Sequence, residues 1–199
     1  MTLPEHAICS LAIGQLGISK QLGWKGVFLV MLAGISPDLD SAGKLIAEKH
    51  FWNLHHALGH SLLSVACIAI AVTLTGKFVV RKHLIRLFWV CVVAATVHCI
   101  TDSLYWWGVK PFWPFAQTEI TFDILEYLDL FVLAIWLVPC FVAWRFPSIA
   151  TRMSQLALGL FAGYVALRAT LPQPTGIWHL LTGGWIYAAP QNTPVLDWW

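Results

Sequence analysis

Charged residues are scarce in this sequence. Asp, Glu, Lys and Arg together make up 11% of its 199 residues and hydrophobic residues make up 58%, whereas ordinary globular chains carry about 25% and about 45–50% respectively. A chain of this length cannot bury that much apolar surface in a fold surrounded by water. The composition therefore predicts an integral membrane protein. The 12 tryptophans agree with it, because indole rings favour the membrane–water interface.

Other absences argue against further classes of protein. With a net charge of only +2, the chain lacks the basic surface that binds nucleic acid and the polarity of a disordered protein. Its five cysteines form no CxxC pair and lie in apolar stretches, so we expect inert buried thiols without disulfides or a thiolate zinc site. No basic region precedes the first apolar run, which argues against a cleaved signal peptide. The HEXXH, GxSxG and P-loop motifs are missing as well.

Six apolar segments divide the chain, and they predict an all-α polytopic membrane bundle that forms a single integral membrane domain over residues 1–199. The segments cover residues 4–18, 24–37, 54–75, 85–107, 124–146 and 154–170. The last four approach the roughly 20 residues that a spanning helix needs. The first two are short and predict a re-entrant or tilted hairpin that turns near Gly23. Residues 171–199, rich in Trp and Pro, are predicted to form an interfacial tail.

The few charges are divided unevenly between the two ends of these segments. If each segment reverses the chain direction, all ten acidic residues lie at one end. Eight of the 12 basic residues then lie at the other end: Lys20, Lys25, Lys77, Arg81, Lys82, Arg86, Arg145 and Arg152. An excess of Lys and Arg marks cytoplasmic loops. We therefore expect the acidic end and both termini to face outward.

Histidines and aspartates collect at the acidic end. They are His6, Asp38, Asp40, His55, His56, His60, His98 and Asp102. Taken one at a time, these residues can also be explained structurally, as turn formers or interfacial residues. His98 and Asp102, which lie on one helix face, can be explained as a hydrogen-bonded pair. Ionisable groups in membrane segments are costly, however, and indicate function. Imidazole and carboxylate ligands without thiolates suit a divalent catalytic metal at the outer face, Zn²⁺ first, with Mn²⁺ or Mg²⁺ as alternatives.

The order of these motifs resembles the YdjM-like family, bacterial inner-membrane proteins described as LexA-regulated, membrane-bound, metal-dependent hydrolases. The resemblance covers residues 1–125. It rests on His6, Pro37–Asp40, His55–Leu63, His98–Asp102 and Gly108-Val109 leading into Trp113-Pro114. The sequence departs from the family pattern at His56, Ala57 and Gly59. More remotely, the order is similar to zinc-dependent phospholipase C and P1-type nucleases.

These resemblances imply a ligand set and an activity. The metal ligands are expected to be His6, Asp38, His55, His98 and Asp102, with His56 competing for the place of His55. The catalytic candidates are Asp38, Asp40 and His60, with Asp40 as an orienting group or base. Glu126 is either an additional ligand or, with Asp123 and Asp129, a residue of a first helical turn.

The expected function is hydrolysis of a phosphoester in a lipid or lipid-linked substrate at the outer membrane surface. The expected partners are this amphiphilic substrate and membrane lipids. The alternatives are a metal-ion transporter, which needs a polar path through the membrane, and a metal- or haem-binding scaffold without hydrolytic activity.

Overall fold

The computed structural model describes residues 1–16, 19–39, 56–80, 82–105, 107–126 and 129–171. Within these ranges the chain forms six long helices, one for each predicted apolar segment. They are α1 (Leu3–Gln15), α2 (Ser19–Ile35), α3 (Leu62–Val79), α4 (Leu84–Asp102), α5 (Leu130–Arg145) and α6 (Ala150–Thr170). A short 3-10 helix, Pro147–Ile149, joins α5 to α6. The prediction of an all-α membrane bundle is confirmed. The predicted tail lies, from residue 172 onward, outside the described residues.

Three segments are long and apolar enough to cross a membrane. They are Gln21–Leu39, α3 and α4, while α5 is apolar but shorter. The second segment is longer than expected, because helical structure begins before the break at Gly23 and continues into a 3-10 turn that ends at Leu39. The predicted turn near Gly23 agrees with that residue's φ of 64° and ψ of −178°, which interrupt α2. Glycine adopts this conformation without a steric penalty.

Side-chain caps set two helix starts later than the apolar segments suggest. The Ser61 hydroxyl accepts a hydrogen bond from the backbone N–H of Ser64 at 3.1 Å, so α3 begins at Leu62. The Asp129 carboxylate accepts from the N–H of Phe131 at 2.9 Å, so α5 begins at Leu130. Both residue types suit this role, because they satisfy donors that the first turn leaves unpaired.

Consecutive helices run in opposite directions. The central pair is α2 and α4. On one side α3 packs against both of them. On the other side α1 contacts both of them, and α1 also contacts α5 and α6, which form a hairpin. At one end Thr151 donates to the backbone oxygen of Gln15 at 3.0 Å, and at the opposite end Tyr164 donates to Asp129 at 2.6 Å. The starts of α1, α3 and α5 therefore lie together with the ends of α2, α4 and α6.

Close approach of α1, α2 and α4 depends on small residues. Gly34 of α2 lies where these helices meet. A Cβ built on Gly34 would lie 2.6 Å from the Cβ of Ser10 and 3.6 Å from the Cβ of Ala94. Small residues allow helix backbones to approach in this way in membrane bundles. The contact also brings the carbonyl of Gly34 to the last turns of α4.

The outer surface of the bundle is apolar along the helices. Large side chains such as Phe78, Ile85 and Trp144 are 80%, 79% and 74% exposed. Exposed apolar surface on this scale is unfavourable in water but matches the hydrocarbon core of a bilayer. The structure thus orients hydrophobic residues outward and collects buried polar residues at one end of the bundle.

Candidate metal centre

Five ionisable side chains meet at the end of the bundle where α1 and α3 begin and where α2 and α4 end. They come from α1, from the turn after α2, from the segment before α3 and from the last turns of α4: His6, Asp38, His60, His98 and Asp102. Their side chains are almost fully buried except that of Asp38, which is 13% exposed. Asp38 therefore lies on the accessible side of the cluster.

Four of these residues bring one ligand atom each into a compact group. The ligand atoms of Asp38, His60, His98 and Asp102 all lie within 4.8 Å of one another. Nε2 of His60 is 3.0 Å from Oδ2 of Asp102 and 3.6 Å from Oδ1 of Asp38. Nε2 of His98 is 3.3 Å and 3.5 Å from the same two oxygens. Ligands of a tetrahedral zinc ion are separated by about 3.3 Å, which follows from metal–ligand bonds of about 2.0–2.1 Å.

A backbone contact fixes the orientation of His98. Its Nδ1 lies 2.6 Å from the carbonyl oxygen of Gly34. Because a carbonyl only accepts, Nδ1 carries the hydrogen, and Nε2 is the nitrogen that can offer a lone pair to a metal ion. Metal-binding histidines commonly have this arrangement, in which the outer nitrogen donates to a carbonyl or carboxylate.

The lone pair of His98 faces other electron-rich atoms. Nε2 of His60 lies 3.1 Å away, next to the oxygens of Asp38 and Asp102. Two imidazole nitrogens and two carboxylate oxygens that converge on one point form a donor set that a divalent cation can bind. The four residues therefore fit a divalent cation by the chemistry of their donors as well as by spacing.

His6 lies beside this group. Its Nε2 is 3.0 Å from Oδ1 of Asp102 and 4.0 Å from Oδ2 of Asp38. Its ring stacks on that of His98, with centroids 3.6 Å apart and planes inclined by 19°. The α-amino group of Met1 also contacts Oδ1 of Asp102, at 2.5 Å. Both oxygens of Asp102 are thus in contact with nitrogen atoms.

The loop after α4 holds the segment that carries His60. The backbone N–H of Lys110 donates to the carbonyl of His56 at 2.9 Å, and the N–H of Leu62 donates to the carbonyl of Pro111 at 2.9 Å. The second bond satisfies a donor in the first turn of α3 that has no partner within the helix. Together these bonds tie the start of α3 to the end of α4, next to the ligand group.

The structure brings together five of the seven predicted site residues: His6, Asp38, His60, His98 and Asp102. The other two, Asp40 and His55, lie outside the described residues, so their roles stay predictions. His60 was expected as a catalytic residue; that role stays a prediction, and its position also makes it a residue that could bind a metal ion.

Two residues near the ligand group are not members of it. His56, like His60, precedes α3, which begins only after Ser61. Their rings still lie near each other, with centroids 5.4 Å apart. Glu126 precedes α5 and lies 3.6 Å from Arg168 of α6, so its charge is paired outside the ligand group. Of the three acidic residues expected in the first turn of α5, only Asp129 caps the helix.

Sequence reasoning missed two buried residues next to the cluster. Glu5 is 1% exposed and accepts hydrogen bonds from Thr2, through a pattern Thr-x-x-Glu that signals a capping box. Tyr105 is equally buried, and its hydroxyl has no hydrogen-bond partner within the described part of the chain. Burial raises the pKa of Tyr105, and the carboxylates of Glu5 and Asp102 raise it further, so the phenol stays protonated.

Comparison with known protein families identifies a family for this chain. A family model described as YdjM inner membrane protein matches residues 1–175. The match extends beyond the ligand motifs and includes all six helices. No curated protein and no solved structure shows significant similarity to the chain.

Proposed function

Since the chain belongs to the YdjM inner membrane protein family, we propose that it is a membrane-bound, metal-dependent hydrolase. Its substrate is a phosphoester of a lipid or lipid-linked molecule, hydrolysed at the outer membrane surface. The observation that carries the proposal is the convergence of two carboxylates and two imidazoles on one point, with His98 oriented by the carbonyl of Gly34.

The chemistry of the site follows from its donors. A bound divalent ion supplies Lewis acidity, which lowers the pKa of water and polarises a phosphoryl oxygen. Two imidazoles favour Zn²⁺ over Mg²⁺, which prefers oxygen ligands. His60 and His98 bind the ion through Nε2, and the buried Asp102 neutralises part of its charge. Asp38 is the most accessible of the ligands and lies where a substrate enters.

The surroundings of the site support an amphiphilic substrate. Large apolar side chains are exposed at this end of the bundle on the segments outside the six long helices, among them Leu58, Phe112, Phe115 and Phe122. Exposed aromatic and aliphatic residues at a bundle end suit the boundary between headgroups and acyl chains. A site at that depth meets the phosphoesters of lipids directly.

The positions of the basic residues support an outward-facing site. Lys77, Arg86, Arg145 and Arg152 all lie toward the helix ends that are opposite to the ligand group. Because basic residues are concentrated in cytoplasmic loops, the ligand group faces the periplasm. A transporter is disfavoured, since α3 and α4 continue beyond His60 and His98 with almost only apolar residues.

The test combines metal analysis with an assay of hydrolysis on the purified full chain. We choose His98→Asn as the variant and His83→Asn as its control, because His83 lies at the opposite end of the same helix. Asn tolerates the left-handed conformation of position 83. The substrates are bis(p-nitrophenyl) phosphate in detergent and vesicles of phosphatidylglycerol and phosphatidic acid.

We expect the wild-type protein and His83→Asn to bind at least one equivalent of zinc and to hydrolyse one of these esters. His98→Asn should bind zinc at least about tenfold more weakly, as expected for loss of a ligand. A chain without stoichiometric divalent metal would overturn the proposal. Bound metal without hydrolysis would favour the scaffold, and zinc entry into dye-loaded liposomes would favour the transporter.

A further inference from the structure

Each aspartate of the cluster places one oxygen near His60 and His98 and its other oxygen near His6. Oδ2 of Asp102 faces His60 and His98 at 3.0 and 3.3 Å, while Oδ1 faces His6 at 3.0 Å. Oδ1 of Asp38 faces His60 and His98 at 3.6 and 3.5 Å, while Oδ2 lies 4.0 Å from His6. This is the arrangement of two carboxylates that bridge two positions.

The stacking of His6 on His98 gives the separation of these positions. Nε2 of each ring contacts a different oxygen of Asp102, so the two rings point in the same sense. Their planes are inclined by only 19°, and the two Nε2 atoms therefore point side by side without converging on one point. The centroids are 3.6 Å apart, and the ions of two-metal centres lie about 3.5–4 Å apart.

We propose that the cluster is a two-metal centre in which Asp38 and Asp102 bridge the ions. The first ion is bound by His60 and His98, and the second by His6. This inference rests on the proposed function, which it deepens, but it concerns the number of ions and not the reaction.

The number of ligands distinguishes the two positions. The first has four protein ligands, which is the complement of a closed tetrahedral site. The second has three, namely His6 and one oxygen from each aspartate, and it leaves a coordination position open, as catalytic sites do. Two divalent ions and two carboxylates carry a net positive charge, which suits an anionic phosphoester. The second position is therefore where a phosphoryl oxygen binds.

The second ion is expected to bind more weakly than the first. The α-amino group of Met1 lies 2.5 Å from Oδ1 of Asp102, the oxygen that faces His6. An ion that enters this position competes with that positive charge. Titration of the metal-free protein should therefore show two steps.

The experiment is a titration of metal-free protein with Mn²⁺, followed by metal counting and electron paramagnetic resonance. Two Mn²⁺ ions at this separation give an exchange-coupled spectrum, and a single ion gives an isolated six-line spectrum. We expect the wild-type protein to bind two ions with a coupled spectrum. His6→Ala should bind one ion with a six-line spectrum, and His60→Ala should lose the tighter step.

A second variant separates a ligand from a hydrogen-bond partner. His6→Gln retains an N–H that can donate to Asp102 but replaces the imidazole by a poor metal ligand. If His6 only orients Asp102, this variant keeps the wild-type metal count, which overturns the inference. If His6 is a ligand, the variant binds one ion while its helical circular dichroism and melting temperature stay close to those of the wild type.

The metal count and the hydrolysis assay can fail independently. A wild-type protein that saturates at one Mn²⁺ yet hydrolyses phosphoesters overturns the two-metal centre and leaves the proposed function intact. Two coupled ions without hydrolysis give the reverse result.

Discussion

A methyl group at Gly34 is expected to disturb both the packing of the bundle and the metal centre. The added Cβ would lie 2.6 Å from the Cβ of Ser10, closer than real Cβ atoms approach, so α1 and α2 have to shift. Overpacking of this kind costs about 1–3 kcal/mol. In a chain of this size 1 kcal/mol lowers the melting temperature by about 2–4 °C, so Gly34→Ala should melt about 2–12 °C below the wild type.

The same substitution should weaken metal binding, because the carbonyl of Gly34 holds Nδ1 of His98 at 2.6 Å. Loss of such an orienting contact typically lowers metal affinity by about 10–100-fold. The measurements are thermal melting of the purified protein in detergent and competition for zinc with a chelator. Gly159→Ala is the matched control, since a Cβ there meets no atom within 4 Å. Because Gly159→Ala replaces a glycine within a helix, its melting temperature should equal or slightly exceed that of the wild type.

A double-mutant cycle tests the cause. Ser10→Gly removes the atoms that a Cβ on residue 34 would meet, at a cost of about 1 kcal/mol in helix propensity. In that background the penalty of Gly34→Ala should fall by at least about 1 kcal/mol, since contacting residues are energetically coupled. The reasoning is refuted if the two penalties simply add, or if Gly34→Ala melts and binds zinc like the wild type.

Three further predictions concern residues that are not ligands. Asp129→Ala should lower the free energy of unfolding by about 0.5–2 kcal/mol, because the α5 cap is lost, and its metal content should stay unchanged. Tyr164→Phe loses only the 2.6 Å hydrogen bond to Asp129 and should therefore be less destabilised. Loss of metal in either variant would contradict this prediction. Tyr105→Phe removes a buried hydroxyl without a hydrogen-bond partner among the described residues, so thermal melting should show equal or higher stability, and a lower melting temperature would show that the hydroxyl is bound. In a cysteine-free background, a membrane-impermeant maleimide added to intact cells should label Phe115→Cys and not Lys82→Cys, and the opposite pattern would reverse the proposed orientation.

Composition and periodic apolar runs predicted the helices because both depend on local sequence. A membrane segment has to satisfy its own backbone hydrogen bonds, so a long apolar run implies a helix whatever its neighbours are. The exact starts depended on single side chains. The sequence alone did not show that Ser61 and Asp129, and not earlier polar residues, would cap α3 and α5.

The candidate site was predictable to the extent that ionisable residues are rare in apolar segments. His6, His98 and Asp102 stood out for that reason, and the structure brings them together with Asp38 and His60. The contact of His98 with Gly34 was not predictable, because it joins residues of two helices that are 64 positions apart in the sequence. It depends on the close packing of α1, α2 and α4, and only the three-dimensional arrangement contains that information.

The burial of Asp102 explains why a cation belongs in this bundle. Its side chain is 3% exposed, and within the described ranges no Lys or Arg side chain lies at ion-pair distance from it. Apart from Arg168, which pairs with Glu126, the basic residues of the helices lie toward the opposite end. The positive charge nearest to Asp102 is the α-amino group of Met1, which contacts Oδ1, while the imidazoles of His60 and His98 face Oδ2. A divalent ion bound between Asp38, His60, His98 and Asp102 would place further positive charge between two largely buried carboxylates, which favours the charged form of both.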